Sequence, residues 1–275
     1  MSAPSTENDE KSQQMQRFLD VAQKAAIEAG EHLLKRLGQA KVTEKKPGDF
    51  VTQADFESQQ IIHDLIKANY PDHSFLGEEG EAADQIRTSD YQWIVDPIDG
   101  TNNFIHQLPS FCISIGLRFS QEMIVGCVHD PVLKETYTAI KGQGAFLNGQ
   151  QIHPRQSAQM KGSIVICSLP RDLNRESHEL IRLVQVLCDS ETTLRRLGSA
   201  ALNLCYVASG RADSYWSSFA KIWDIAAGYL ILHEAGGLMT DLKGDSIDWE
   251  DIRFVASSNT EFNDQMISLL TVEST

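Results

Sequence analysis

The chain has little with which to grip nucleic acid, enter a membrane or chelate a soft metal. Twenty-four lysines and arginines face 38 aspartates and glutamates, and the formal net charge of −14 disfavours direct nucleic-acid binding while favouring solubility. No apolar run approaches the ~20 residues that a membrane-spanning helix needs. Met1 to Gln14 is polar and charged, so it is expected to be a disordered tail and not a signal peptide. The cysteines number only five, Cys112, Cys127, Cys167, Cys188 and Cys205, an odd, widely spaced set in apolar surroundings. That pattern predicts buried, reduced thiols and a cytoplasmic setting instead of a disulfide framework. His106, His129 and His153 lie near turns, none in a two-histidine spacing suited to zinc, and are read as structural. Gly142 and Gly144 lack the strand-then-helix context of a phosphate loop and are read as turn glycines. Neither an internal repeat nor a low-complexity linker is evident.

What is present is enough for a core. At 275 residues and 41% hydrophobic content, the chain can form one large domain or two modest ones. Apolar spacing predicts helices over Arg17 to Leu37, ended by Gly38, and over Ala54 to Asn69, ended before Pro71. Phe111 to Phe119, Met123 to His129 and Glu135 to Ile140 read as successive strands. Asn148-Gly149 signals a hairpin between Ala145-Phe146-Leu147 and Gln151-Ile152. After Pro154 the pattern changes to a strand at Ile164 to Cys167, a helix near Ser177 to Cys188, a strand near Thr192 to Arg195, and helices after Gly198 and Trp223. The organisation expected is a tail over 1–14, an α+β half over 15–154 with an antiparallel-rich sheet, and a smaller α/β half over 155–275.

The most informative segment is Trp93-Ile94-Val95-Asp96-Pro97-Ile98-Asp99-Gly100-Thr101-Asn102-Asn103-Phe104. A hydrophobic strand delivers two carboxylates, a glycine and a hydroxyl to one place. Pro97 is expected to end that strand by removing a donor and fixing φ. Gly100 permits a turn that leaves the amides of Gly100 and Thr101 to face an anion. The tetrad of Asp, Asp, Gly and Thr also suits an ordinary capped turn. A calcium loop begun at Asp96 is excluded, because Ile98, Gly100 and Gln107 occupy ligand positions. An aspartyl-phosphate phosphatase needs one residue between its acids, whereas Pro97 and Ile98 both intervene here.

Two further segments supply acids in the same style. Phe75-Leu76-Gly77-Glu78-Glu79-Gly80 ends an apolar run at Gly77 and presents Glu78 eighteen residues before Asp96; read alone it is also a solvated acidic loop. Ile222-Trp223-Asp224 opens a helical pattern that runs through small residues to Glu234-Ala235-Gly236-Gly237, where Asp224 read alone is a plain N-cap. Asp55 follows a short strand and sits at the start of a helix. Three such segments together point to hard oxygen ligands and a divalent cation, with no Cys or His cluster required.

Taken together, these segments resemble those of the inositol monophosphatase family of magnesium-dependent, lithium-inhibited phosphatases, including its bacterial extragenic-suppressor type. The likeness covers roughly Met15 to Met266 and rests on Gly77-Glu78-Glu79, Asp96-Pro97-Ile98-Asp99-Gly100-Thr101, Gly198-Ser199-Ala200-Ala201-Leu202-Asn203 and Trp223-Asp224 through Gly237. It implies a layered αβαβα sandwich of the sugar-phosphatase type. It further implies two to three Mg2+ ions, the first on Glu78, Asp96 and the Ile98 carbonyl, the second on Asp96, Asp99 and Asp224. A third, weaker ion near Glu78 would position water, with Asp55 and Thr101 orienting and deprotonating it. Asp99, Gly100, Thr101, Ser199, Ala200, Ser217, Lys221 and Asp224 would then contact substrate. Hydrolysis of myo-inositol monophosphate or a related polyol phosphate, a homodimeric state, and for bacterial relatives a protein partner in the transcription machinery, are implied in the same way.

The chain departs from that pattern in two places. Inositol-selective members usually carry a Glu seven residues before the Trp-Asp aspartate, where this chain has Ser217. Lys221 then places a cation near the pocket and suggests a second anionic group on the substrate, as in fructose 1,6-bisphosphate or 3'-phosphoadenosine 5'-phosphate, unless it simply faces solvent. Asn102 replaces the second Thr usual after Asp-Gly-Thr, while Thr101 is intact.

Overall fold

The computed structural model describes residues 5–39, 41–46, 49–80, 89–156, 159–169, 184–185 and 189–271. Helix α1 spans Ser5–Arg36 and α2 spans Gln53–Asn69. In α1, Phe18, Ala22, Ala25, Ala26, Ala29 and Leu33 are fully buried, the three-and-four spacing of a single apolar stripe. The expectation of a disordered tail over 1–14 is corrected from Ser5 onward. Glu, Lys and Gln, good helix formers, make up half of Ser5 to Gln14, and the turns of α1 extend through it. A short antiparallel pair, β1 (Val42–Lys46) and β2 (Asp49–Thr52), connects the two helices.

The main sheet has seven strands in the order β3 (Ser74–Gly77), β4 (Tyr91–Asp99), β5 (Cys112–Phe119), β6 (Glu122–Asp130), β7 (Glu135–Ile140), β8 (Ala145–Leu147) and β9 (Gln150–Gln151). Only the β3–β4 pair is parallel; the rest are antiparallel. The hairpin at Asn148-Gly149 forms as expected, with both residues at positive φ. Short helix α3 (Thr101–Ile105) follows β4 directly. A second sheet of five strands runs β11 (Thr193–Arg195), β10 (Ile164–Ser168), β12 (Ser214–Ser217), β14 (Phe254–Ser257) and β13 (Leu238–Thr240). Helices α4 (Ala200–Ala208), α5 (Ile222–Ala235) and α6 (Thr260–Leu270) complete the described elements. The helix expected over Ser177 to Cys188 falls almost wholly outside the described residues.

These elements stack as α, β, α, β, α. Helices α1 and α2 cover one face of the seven-stranded sheet, α4 and α5 lie between the sheets, and α6 covers the outer face of the second sheet. Strand β4 is buried on both faces, and its alternation decides which residue meets which layer. Trp93 and Val95 pack with α1 and α2, whereas Ile94 packs with α4 and α5. The period of two therefore sends Asp96 to the α5 side.

Pro97 does not end β4. The strand runs on to Asp99 with a register irregularity between Asp96 and Asp99. A bulge leaves one residue out of the ladder, so a proline without an N–H is accommodated there, and the Pro97 carbonyl accepts the Ser58 hydroxyl at 3.0 Å. The bulge is what brings Asp96 and Asp99 to the same opening.

Helix α5 lies unusually close to the main sheet. A Cβ on Gly126 of β6 would stand 2.7 Å from the Ala227 carbonyl oxygen, and one on Gly116 of β5 would stand 3.2 Å from the Ala226 Cβ. Glycine on the sheet and alanine on the helix together permit that approach. It positions the first turn of α5, and with it Asp224, beside the end of β4.

Candidate active site

A cavity of about 440 Å3 opens where β4, α3, α4 and α5 meet, and its wall includes Glu78, Asp96, Ile98, Asp99, Gly100, Thr101, Ala200 and Asp224. Acids predicted from three separate stretches of sequence thus line one opening, and a fourth, Asp55, is fully buried within reach of Thr101 on its wall. Each is placed by a different local device. Asp55 stands at the third position of α2, where its Oδ2 accepts both the Thr52 amide and the Thr52 hydroxyl at 2.7 Å. Asp224 occupies the same position in α5 and accepts the Lys221 amide at 2.7 Å. Asp99 sits ahead of α4, accepting the Ser199 hydroxyl and the Ala201 amide at 2.6 Å on Oδ2 and the Ala200 amide at 3.1 Å on Oδ1. Three of the carboxylates thus face helix N-termini, whose partial positive charge favours them.

Asp96 has less help. It is 2% exposed, and Oδ1 accepts the amide of Ile98 at 3.0 Å. Burial raises its pKa well above the usual carboxylate range, and the neighbouring charges of Glu78, Asp99, Asp224 and Asp55 raise it further. Burial also raises Asp99, against the pull of the Ser199 hydroxyl and the Ala201 and Ala200 amides. The cavity therefore gathers acids whose burial and mutual repulsion oppose ionisation, an arrangement that a bound cation would relieve.

Among the described residues, no three or more acidic, histidine or cysteine side chains are drawn close enough to chelate an ion as they stand. The chemistry of the donors nevertheless fits a hard divalent cation. Glu78, Asp96, Asp99 and Asp224 line the same cavity as Ile98, and Asp96 is buried where it feels the charges of four other acids. Asp99 has one hydrogen bond on Oδ1, which leaves that oxygen acceptor capacity toward the cavity.

The Thr101 hydroxyl lies 3.3 Å from Asp55 Oδ1 and 3.0 Å from the Ile98 carbonyl oxygen. A hydroxyl has one proton, so it donates to one of these at a time and accepts from a third group. Gly100 holds φ at +101°, and a Cβ there would stand 2.8 Å from the Ser110 carbonyl oxygen. That turn lets β4 pass straight into α3 and presents Thr101 beside the acids.

Other expected contacts fall elsewhere. Ser199 caps α4, accepting the Leu202 amide at 3.3 Å, and is fully buried behind Asp99. Ser217 is fully buried and turned back on the backbone of Phe219, and neither it nor the exposed Lys221 lines the cavity. Sequence reasoning missed the outer wall, formed by Ser168, Leu169, Arg196, Leu197, Tyr215 and Phe219. Only the paired Arg195-Arg196 ahead of Gly198 hinted at it. Asn103 was also missed. Its side-chain amide donates to the carbonyls of Ser110 at 2.6 Å and Leu197 at 2.8 Å, tying α3 to the loop before α4.

The described cysteines, Cys112, Cys127, Cys167 and Cys205, are buried and free. Burial pushes the Cys127 thiol to about 12, which keeps it protonated and inert. The imidazole of His129 contacts the Thr136 hydroxyl at 2.9 Å and lines no part of the cavity. Among the described residues no helix is long and apolar enough to cross a membrane.

Comparison with known proteins extends over nearly the whole chain. The sequence profile of the inositol monophosphatase family matches residues 14–274. The Nus factor SuhB of Vibrio cholerae is 38% identical over 247 residues, covering 89% of this chain and 92% of that protein. Inositol monophosphatase 2 of Solanum lycopersicum is 39% identical over 263 residues, covering 93% and 98%. Among solved structures, the extragenic suppressor protein suhB from Bartonella henselae superimposes with a TM-score of 0.87 at 31% identity, covering 93% of this chain and 98% of that one.

Proposed function

This chain belongs to the inositol monophosphatase family, and on that premise we propose that it is a Mg2+-dependent phosphomonoesterase acting on a cyclitol, sugar or related polyol phosphate. The observation that carries the reading is the buried Asp96, which feels the charges of Glu78, Asp99, Asp224 and Asp55 and lines one cavity with the first three of them. Glu78, Asp96 and the Ile98 carbonyl would hold one ion, and Asp96, Asp99 and Asp224 a second, with a third, weaker ion near Glu78. Bound Mg2+ supplies Lewis acidity to the ester phosphate and lowers the pKa of water toward neutrality.

The chain's own groups account for the rest. Thr52 fixes Asp55 through two hydrogen bonds on Oδ2, which leaves Oδ1 for Thr101. When Thr101 donates to Asp55, its oxygen is free to accept a proton from the attacking water. The water oxygen would bond to phosphorus as its proton passes through Thr101 to Asp55, and the bond from phosphorus to the alcohol oxygen would break with its electron pair left on that oxygen, which takes a proton from solvent water to leave as the alcohol. No side chain becomes phosphorylated. Gly100 and Thr101 line the cavity at the start of α3, where their amides would face the phosphate, and Ala200 lines it at the start of α4.

The test is phosphate release from inositol, fructose, histidinol and nucleotide phosphates with Mg2+, with and without lithium. Release that requires Mg2+ and falls with lithium is expected; no release from any ester overturns the reading. A second reading follows from relatives that carry the name Nus factor, namely a protein partner in the transcription machinery with catalysis dispensable. Capture of RNA polymerase or elongation factors by an Asp99→Asn protein would support it. A cytoplasmic homodimer is part of the same proposal.

A further inference from the structure

Helix α2 reaches the site in three places through one face. Asp55, Ser58 and Gln59 stand at the spacing of three and four residues that puts side chains next to one another on a helix. Asp55 meets the Thr101 hydroxyl at 3.3 Å, and the Ser58 hydroxyl donates to the Pro97 carbonyl oxygen at 3.0 Å. Gln59 takes the third partner, the main chain of Glu79. Its Oε1 accepts the Glu79 amide at 2.9 Å, and its Nε2 donates to the Glu79 carbonyl oxygen. The carboxamide thus pairs with that residue as an adjoining strand would, one bond in each direction. Glu78 is held from both sides as a result. Its own amide donates to the Val95 carbonyl oxygen at 3.1 Å, one residue beyond the Gly77 pairing of β3 with β4, and the next amide is the one that Gln59 takes. With the peptide units before and after it both bonded, φ and ψ of Glu78 have little room, and the direction in which its side chain leaves for the cavity is set. Gly77 permits this by having no side chain. A Cβ there would overlap the Gln59 carboxamide, which can swing aside only by giving up both bonds to Glu79.

We propose that Gln59 is a positioning residue for Glu78: by clamping the Glu79 main chain it aims the carboxylate at the cation, and Gly77 clears the path for the clamp. A neutral side chain that does not line the cavity thereby governs how tightly Mg2+ is held. The inference rests on the phosphatase reading above, with Glu78 as a ligand, and names a residue on which that ligand depends.

The test is titration calorimetry of Mg2+ into the full chain without any ester, in the natural protein, Gln59→Leu, Gly77→Ala and the double variant. Each single substitution is expected to weaken Mg2+ binding about tenfold, the worth of one or two lost hydrogen bonds. Both break the same clamp, so the double variant should also lose about tenfold and not the roughly hundredfold that independent sites would give. Phosphate release supplies a second readout: the Mg2+ concentration for half-maximal turnover should rise about tenfold, while kcat and the ester KM at saturating Mg2+ stay within about threefold. A merely structural role for Gln59 would lower the melting temperature in chelator and leave Mg2+ affinity alone. Affinity within about twofold of the natural value in the single variants, or independent losses in the double, therefore overturns the inference and leaves the phosphatase reading standing. Should Gln59→Leu fail to fold, Gln59→Ala, which admits water to the Glu79 main chain, takes its place with the same expectation. A natural protein that binds no Mg2+ overturns the phosphatase reading and this inference together.

Discussion

The two ends of strand β4 are built to opposite rules. At its entrance, Tyr91 and Trp93 join Phe18, Tyr70 and His73 in a stack of rings with centroids 4.6 to 6.3 Å apart. The indole N–H there is satisfied, because Trp93 Nε1 donates to His73 Nδ1 at 3.1 Å. At its exit, eight residues on from Tyr91, Asp99 joins Asp96 in a cluster of like charge. One end gains from burial and edge-to-face contact; the other sets burial against ionisation. Placing both on a single strand lets the aromatic end hold rigid what the acidic end would push apart.

The sharpest way to break this contrast is Asp96→Asn. If Asp96 is the ligand shared by two ions, as proposed, its loss would forfeit several kcal/mol of charge stabilisation, and turnover should fall about a thousandfold or more in saturating Mg2+. The natural protein should gain ~2.7 kcal/mol of stability at a Mg2+ concentration 100 times its Kd, read as a rise in melting temperature over the chelated sample, and the variant should lose most of that gain. Near-normal turnover in the variant would end the metal assignment. At the other end of the strand, Trp93→Ala should cost about 3–5 kcal/mol in urea unfolding while the folded fraction keeps its turnover within a few fold. Collapse of activity without loss of stability would show that the two ends are not separable.

Gly126→Ala sharpens the comparison from the sheet's middle. The added methyl meets the Ala227 carbonyl, so stability should fall by about 1–3 kcal/mol. Asp224 moves with α5, so turnover should suffer more than Trp93→Ala causes at equal destabilisation. The smallest effect concerns pH. Burial lowers the His73 pKa, Lys67 lowers it further, and Asp72 opposes them. The unfolded chain therefore takes up its proton first as pH falls. Stability is intact above the unfolded value of about 6.5 and is lost as pH drops toward the folded value. Melting temperature should decline across that window, and His73→Gln should flatten the decline; an unchanged slope would place the proton elsewhere.

Much of this was legible along the chain because periodic burial writes itself into spacing. The helices at α2 and α5, the strands from β5 to β7 and the Asn148-Gly149 hairpin are all local patterns, and so is the motif from Asp96 to Thr101. Strand β12 was missed because Ser214–Ser217 is only four residues long and has a serine at each end, yet the serines sit inside the sheet, as where the Ser214 hydroxyl donates to the Ala256 carbonyl at 2.8 Å. Strands β13 and β14, of three and four residues, are too short to show alternation. The continuation of β4 through Pro97 needed a bulge that depends on β5. The outer wall was invisible for a different reason: Arg196 and Phe219 acquire meaning only when loops from two sheets face the same opening.

The glycine floor beneath α5 carries one more consequence. Side chains in a packed interior hop between rotamers, so a spacing defined by their tips fluctuates with them. The gap between Asp224 and the exit of β4 is governed instead by peptide units of α5 resting on bare main chain at Gly116 and Gly126. Such a contact has no torsions left to relax. The tolerance of the catalytic gap is therefore set by the stiffness of a covalent backbone, and heating that loosens the interior should leave it unchanged until the sheet itself gives way.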